Sequence, residues 1–192
     1  MNFRHSVALL SLFSAMAAPA LAGEGGAASH VAAYDDKVIA IMKEKLPTPQ
    51  RIARFEMLVR QSYDMPALAA LVIGPSWSAT PAADKAAVIA ALTRHSAISL
   101  AKNFKSYSGE KFVLDPNVQT RGSDSIVKVT IGSDILYFRV HKTSTGWAIF
   151  DVISGGVSQL AVQRSDLAST AAAGGAAAVA RKLQQIDGKG GA

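Results

Sequence analysis

The chain contains no cysteine among its 192 residues. That absence excludes disulfide bonds, thiol nucleophiles, cysteine-bound zinc and iron–sulfur clusters. Histidine is scarce as well. His5, His30, His95 and His141 are the four present, and none has a carboxylate at helical spacing that would orient it for proton transfer.

Catalytic signatures are missing too. The sequence has no G-x-S-x-G, no H-E-x-x-H, no phosphate-binding loop and no G-x-G-x-x-G after a predicted strand. We therefore predict a protein that is not an enzyme, with no catalytic residue, no metal site and no cofactor. His95 is interpreted as a hydrogen-bonded histidine at the edge of the core, and Asp35-Asp36 as serving a helix dipole.

The charge of the chain is moderately basic, with a formal net charge of +6. The densest basic stretches are Lys37 to Lys45 and Lys102 to Lys111. Because they are not interleaved with aromatic residues that could stack on bases, no nucleic-acid partner is predicted. The excess charge is compatible with anionic lipid headgroups, with an acidic partner, or with solubility alone.

Residues 1–22 are typical of a secretory signal peptide. Arg4 and His5 precede an apolar run over residues 7–18, and Ala20-Leu21-Ala22 supplies the small-x-small cleavage pattern. The run is too short for a stable membrane span, which needs about 20 residues. We expect export to the periplasm with cleavage after Ala22; an uncleaved anchor is the alternative. No cysteine follows the cleavage site, which excludes a lipoprotein anchor.

The first half of the remaining chain has helical periodicity. Residues 23–30 are predicted as a flexible leader, 31–187 as a single domain and 188–192 as a disordered tail. Apolar residues at three- and four-residue spacing predict four helices. The first covers 31–46, and the second begins at Pro49 with Thr48 as its cap. The third covers 65–73 with Asp64 as its cap, and the fourth covers 82–105 after the cap-and-proline pair Thr80-Pro81.

The second half begins with alternating residues. Strands are predicted at 111–114, 125–131, 135–141 and 147–153, separated by short turns. Helices follow at 157–173 and 175–186, with Gly174-Gly175 separating or kinking them. This order predicts an α+β fold with helices packed on one face of an antiparallel sheet of about four strands.

Three blocks of sequence resemble a known family. They are YDMPAL…VIGPSW at 63–77, YSG at 107–109, and WAIFDV…GVSQL…QRSDL at 147–167. Their order and spacing resemble the MlaC family of periplasmic lipid-binding proteins, and details such as Gly-Pro-Ser-Trp resemble its hopanoid-associated HpnM branch. The resemblance covers nearly all of the chain after residue 22.

The resemblance implies a twisted antiparallel sheet cupped by helices, with a deep apolar pocket between the two layers. It also implies a shuttle that carries a phospholipid or a hopanoid between membrane-bound transporter components of the inner and outer membranes. We expect a monomer.

Pocket candidates are the residues that face the space between the sheet and the helices. Ordinary core packing is the alternative for each of them, and Trp77 could instead plug a closed end. The candidates are Leu71, Val72, Trp77, Leu92, Ile98, Val127, Val129, Leu136, Phe138, Val140, Phe150, Val152 and Leu160.

Two further expectations concern charged residues. Asp151 and Arg164 lie in the two most family-like blocks and are predicted to pair, with a headgroup role for Arg164 as the alternative. Lys102, Lys105 and Lys111 are candidates for the pocket mouth or for solvated surface lysines.

Two other functions compete with the lipid shuttle. One is a non-catalytic adaptor module of the envelope, with an apolar face for another protein and a solid interior. The other is an enzyme of a related cone-shaped α+β fold, which would need polar groups converging in the cavity.

Overall fold

The computed structural model describes residues 26–190, with side chains described to Gly188. The predicted signal peptide, residues 1–22, lies outside the described residues. The helices are α1 (Ala27–Lys43), α2 (Thr48–Ser62), α3 (Met65–Ile73), α4 (Ala82–Asn103) and α5 (Gln159–Gly190), with a short 3₁₀ helix at Gly74–Trp77. No helix within residues 26–190 is both long enough and apolar enough to cross a membrane.

The helix starts differ in part from the sequence prediction. Asp64 caps α3 as predicted, since its Oδ1 accepts a hydrogen bond from the Ala67 N–H at 2.9 Å. The caps predicted for Thr48 and Thr80 are wrong. Pro47 and Pro81 flank α2 and α4, and their fixed φ presets the entry into each helix without a side-chain cap.

Helix α1 begins earlier than predicted. Residues 27–30 were expected in a flexible leader, yet they form its first turn. Ala27 is buried, and the His30 ring Nε2 lies 2.9 Å from the Ser62 carbonyl oxygen. These two contacts attach the first turn to the end of α2.

The sheet contains six antiparallel strands, where about four were predicted. Its order is β1-β3-β4-β5-β6, and β2 also pairs with β3. The strands are β1 (Phe112–Leu114), β2 (Gln119–Arg121), β3 (Asp124–Ile131), β4 (Asp134–Thr143), β5 (Gly146–Ser154) and β6 (Val157–Ser158). The two unpredicted strands are β2 and β6. The three residues of β2 are all polar and exposed, unlike Phe112–Leu114 of β1, and β6 has two residues, so neither shows an apolar pattern.

The α+β class and the placement of the helices on the sheet are as predicted. Helix α5 starts at Gln159, because Val157 and Ser158 pair with β5 instead of opening the helix. The predicted kink is present: Gly174 and Gly175 have non-helical backbone angles, and Gly175 has a φ of 60°. Glycine tolerates that left-handed conformation without a Cβ clash. Beyond the kink the helix continues to Gly190, into the segment predicted as a tail.

The junction between α2 and α3 attaches the helices to the sheet. The Asp64 N–H donates to the Ile149 carbonyl at 2.9 Å, and Asp64 Oδ2 lies 2.9 Å from His141 Nε2 on β4. The same carboxylate caps α3. One residue therefore fixes both the start of a helix and its distance from two strands.

Asp151 makes the second attachment, between β5 and α5. Its side chain is 2% exposed, and it accepts hydrogen bonds from the Leu160 N–H at 3.0 Å and from the Ser158 hydroxyl at 2.7 Å. Arg139, its register partner on β4, lies 3.5 Å away. The predicted pairing with Arg164 is wrong, because Arg164 is exposed on the far side of α5, in a groove against α3.

A matched pair of arginine substitutions tests this attachment. We expect Arg139→Ala to lower the free energy of unfolding by about 1–2 kcal/mol, because it leaves the buried Asp151 carboxylate without its cation and removes a contact with the Phe150 ring. Arg164→Ala is expected to leave the free energy of unfolding unchanged within about 0.5 kcal/mol. Urea denaturation measures both. A larger loss for Arg164→Ala than for Arg139→Ala would overturn this account of Asp151.

Candidate functional site

A cavity of about 220 Å³ lies between the inner face of the sheet and the helices. Strands β4 and β5 form one side, and α1, α4 and the first turns of α5 form the other. Its wall is mainly aliphatic and aromatic: Tyr34, Val38, Tyr63, Leu68, Leu100, Phe104, Phe112, Leu136, Phe138, Phe150, Val152 and Leu160.

Five of the residues predicted for the pocket line this cavity. They come from both strands and from the start of α5: Leu136, Phe138, Phe150, Val152 and Leu160. In the register of β4 with β5, Phe138 stands opposite Val152, and Leu136 stands opposite Ser154, which also lines the cavity. The structure therefore brings these five candidates together.

The other candidates lie elsewhere. Those that are fully packed in the core, away from the cavity wall, are Leu92, Ile98, Val127, Val129 and Val140. Leu71 and Val72 border the separate groove between α3 and α5. Trp77 lies on the 3₁₀ helix, with the Lys85 ammonium 5.3 Å from its ring centre.

The difference has a physical cause. Val127 and Val129 on β3 belong to the same packed cluster as Val31, Val38 and Phe55 of the first two helices. The inward-facing residues of β4 and β5 divide between this cluster and the cavity. Val140 and Ile149 pack within the cluster, whereas Leu136 and Val152 border the cavity. Phe138 does both, because its ring meets Tyr34 of α1 edge to face and also lines the cavity.

The cavity also has a polar side, which the sequence analysis missed. Its members come mostly from α4 and α5: Asp35, Ser96, Ser99, Asn103, Asp151, Ser154, Gln159 and Gln163. Helical spacing was the available signal, since Ser96, Ser99 and Asn103 share one face of α4. Ser99, Asn103, Ser154 and Gln159 are exposed and form the rim.

Two tyrosines lie at the buried end of the cavity. The Tyr63 hydroxyl donates to the Tyr34 hydroxyl at 3.4 Å, and the two rings meet edge to face with their centres 5.7 Å apart. Burial raises the pKa of Tyr63 to about 12 and raises that of Tyr34 well above its ordinary value. Both hydroxyls therefore stay neutral.

Asp35 is the most unusual residue of the cavity wall. It was interpreted as serving a helix dipole, but α1 begins at Ala27, so Asp35 lies in the helix interior and is only 5% exposed. Burial, and to a lesser extent the neighbouring charge of Asp36, raises the pKa of Asp35 to about 7. Its Oδ1 has no hydrogen-bond partner within the described part of the chain.

The cavity wall carries no cationic side chain. Its two charged residues are Asp35 and Asp151, and no lysine, arginine or histidine is among the described residues that line it. The predicted mouth lysines, Lys102, Lys105 and Lys111, do not line it either. An anionic group that entered would meet two carboxyl groups, and the described lining residues offer it no cationic side chain, because Arg139, the partner of Asp151, is not among them.

The histidines join distant parts of the chain. His95 Nδ1 lies 2.8 Å from Asp187 Oδ1 at the end of α5, and His141 pairs with Asp64. These carboxylate partners are 92 and 77 residues away along the chain, so helical spacing gives no signal for them. Within residues 26–190 no group of three or more metal-ligating side chains is found.

An open antiparallel sheet, covered on one face by helices with a mainly apolar cavity between the layers, places the protein in the α+β class. The chain belongs to the MlaC protein family, whose model matches residues 32–185.

One solved structure illustrates the fold. The phospholipid-binding protein from Ralstonia solanacearum, solved in complex with a phospholipid, is similar with a TM-score of 0.69 at 18% sequence identity. The similarity covers 85% of this chain and 98% of that one. Comparison with curated proteins finds no significant match.

The titration of Asp35 predicts a pH dependence of stability. The unfolded chain has an aspartate pKa of about 3.9, and the folded protein holds this proton up to about pH 7. The folded state is therefore penalised as pH rises from about 4 to 7, by at most about 4 kcal/mol. We expect Asp35→Asn to remove this part of the slope, so that the variant is more stable than the wild type at pH 8.

Urea denaturation of lipid-free protein at pH 5 and pH 8 measures the effect. Asp36→Asn is the matched control, because Asp36 is the next residue of α1 and is exposed. Its profile should stay parallel to that of the wild type. Parallel profiles for Asp35→Asn and the wild type would contradict the raised pKa.

Proposed function

We propose that this protein is a periplasmic lipid carrier that holds the apolar part of its cargo in the cavity between the sheet and the helices. The observation that carries the proposal is the cavity itself, which has aliphatic and aromatic walls and a neutral polar rim. Membership of the MlaC family supports it, because that family consists of lipid-binding carriers. The phospholipid bound to the Ralstonia protein of similar fold also supports it.

Lipid transfer through water requires an apolar cavity of this kind. Exposing an acyl chain to water costs about 0.8 kcal/mol for each methylene group. A carrier lowers this cost by offering apolar contacts along the chain, and it needs no acid, base or nucleophile. The cavity wall supplies those contacts through Leu136, Phe138 and Leu160.

The size of the cavity bears on loading. Pockets for drug-sized ligands have volumes of about 300–1,000 Å³, and this one has about 220 Å³. A complete lipid therefore needs the two layers to separate. The exposed rim of Ser99, Asn103 and Gln159 is where separation disrupts the fewest buried contacts.

The route of the cargo follows from the predicted export. A carrier delivered to the periplasm by the signal peptide at residues 1–22 exchanges lipid with membrane-bound transporter components of the two membranes. Phospholipids and hopanoids are the candidate cargoes. Both are large and apolar, and they differ in the shape of cavity that they require.

Filling the cavity should abolish lipid binding. We expect Leu136→Trp to reduce the lipid that co-purifies with the protein at least tenfold, because the indole occupies the space beside Phe138 and Val152. Ile135→Trp is the matched control, since Ile135 precedes Leu136 on β4, is 41% exposed and faces away. Native mass spectrometry with lipid extraction measures both variants, and circular dichroism confirms folding.

Two outcomes would contradict the proposal. One is full lipid occupancy in folded Leu136→Trp. The other is a lipid-free wild-type mass that stays unchanged after incubation with phospholipids and with hopanoids. The second result would favour an envelope adaptor without a bound lipid.

A further inference from the structure

We propose that Asp35 and Gln163 together bind a hydroxyl group of the lipid inside the cavity. The inference rests on the proposed carrier function and deepens it, because it assigns a chemical class to the polar group of the cargo.

Two acceptor atoms without partners carry the inference. Asp35 Oδ1 and Gln163 Oε1 are both buried, and neither has a hydrogen-bond partner within the described residues. Buried polar atoms in native proteins are almost always hydrogen-bonded, so each exception calls for an explanation. Here both exceptions line one cavity, Asp35 from α1 and Gln163 from α5. Both residues border the space that a ligand of that cavity would occupy.

The rest of the wall shows that these two atoms are exceptional. Asp151, the other carboxylate of the wall, is fully occupied by Ser158, Leu160 and Arg139. The tyrosine hydroxyls bond to each other. Among the described residues of the wall, the buried side-chain atoms without a hydrogen-bond partner are therefore Asp35 Oδ1 and Gln163 Oε1.

The chemistry of the missing partner follows from the two acceptors, which require a donor. A phosphodiester offers only acceptor oxygens, and the wall holds no cation that would offset its charge. A hydroxyl has one proton to donate and can also accept. With Asp35 protonated, it accepts from the Asp35 carboxyl and donates to Gln163 Oε1; with Asp35 ionised, it donates to the carboxylate. It therefore matches Asp35 in either protonation state, which matters because burial brings the pKa of Asp35 to about 7.

The rim is consistent with the same chemistry. Ser99, Asn103 and Gln159 offer neutral hydroxyl and amide groups, which suit further hydroxyls of a polar end. The hydroxyl has two possible sources. It belongs either to a glycerol headgroup of a phospholipid or to a lipid that has no phosphate.

A pair of probes tests the inference, an alcohol and its methyl ether, in which a methyl group replaces the O–H proton. Hexadecan-1-ol and its methyl ether have the same alkyl chain, but the ether has no O–H. Each displaces a fluorescent apolar dye from lipid-free protein. We expect the wild type to bind the alcohol about tenfold more tightly than the ether. The double variant Asp35→Leu, Gln163→Leu should bind the alcohol and the ether with about equal affinity. Its affinity for the ether should equal that of the wild type.

Three variants control the result. Asp35→Asn keeps an acceptor oxygen and should retain most of the preference. Asp36→Leu changes the neighbouring exposed carboxylate and should retain all of it. Gln163→Leu alone should lose part of it, which keeps the test usable if the double variant does not fold.

The outcomes separate the inference from the proposed function. Equal affinity of the wild type for the alcohol and the ether would overturn the inference while leaving the carrier function intact. Failure of both probes to displace the dye would contradict the carrier function itself.

Two natural lipids then identify the source of the hydroxyl. Weaker binding of dipalmitoylphosphatidylglycerol by the double variant would assign it to a phospholipid headgroup. Weaker binding of dipalmitoylglycerol would assign it to a lipid without phosphate. Unchanged binding of both lipids would overturn the inference.

Discussion

The distance between the helices and the sheet is set by two carboxylates. Asp64 attaches the junction of α2 and α3 to Ile149 and His141, and Asp151 attaches the start of α5 to β5. Each carboxylate accepts from the backbone at a helix start, where N–H groups lack partners within the helix. They act together with apolar packing, since Leu68 of α3 and Leu160 of α5 belong to the same buried cluster as Phe150 of β5. Asp151 and Tyr63, the neighbour of Asp64, both line the cavity.

The cavity wall combines two opposing requirements. Apolar contacts favour a closed interior, yet among the described residues the wall leaves two buried oxygens, Asp35 Oδ1 and Gln163 Oε1, without hydrogen-bond partners. Such groups cost stability in the empty protein. A bound molecule that completes their hydrogen bonds removes this cost. The free energy that is recovered then contributes to the affinity for that molecule.

The sequence predicted the layers better than the cavity. Alternation predicts the three long strands β3, β4 and β5, and local chemistry predicts the Asp64 cap and the Gly174-Gly175 kink. The short strands β2 and β6 depend on pairing with a neighbour and leave no periodic signal. Sequence patterns show that a residue faces inward, but not whether a helix lies against it.

Val129 and Leu136 illustrate this limit. They are register partners on adjacent strands, and both face the helices. Val129 is fully buried in the core, whereas Leu136 borders the cavity. The surroundings of Asp35 and His141 are equally nonlocal: Asp35 is buried by tertiary packing, and His141 meets a carboxylate 77 residues away.

The central claim is that lipid occupies the space between β4, β5 and the helices. Photo-crosslinking with a phospholipid that carries a diazirine on its acyl chain tests it most directly, with the modified residues mapped by peptide mass spectrometry. The account predicts adducts on Leu136, Phe138 and Leu160. Adducts confined to Leu71, Val72 and the rest of the groove between α3 and α5 would contradict it.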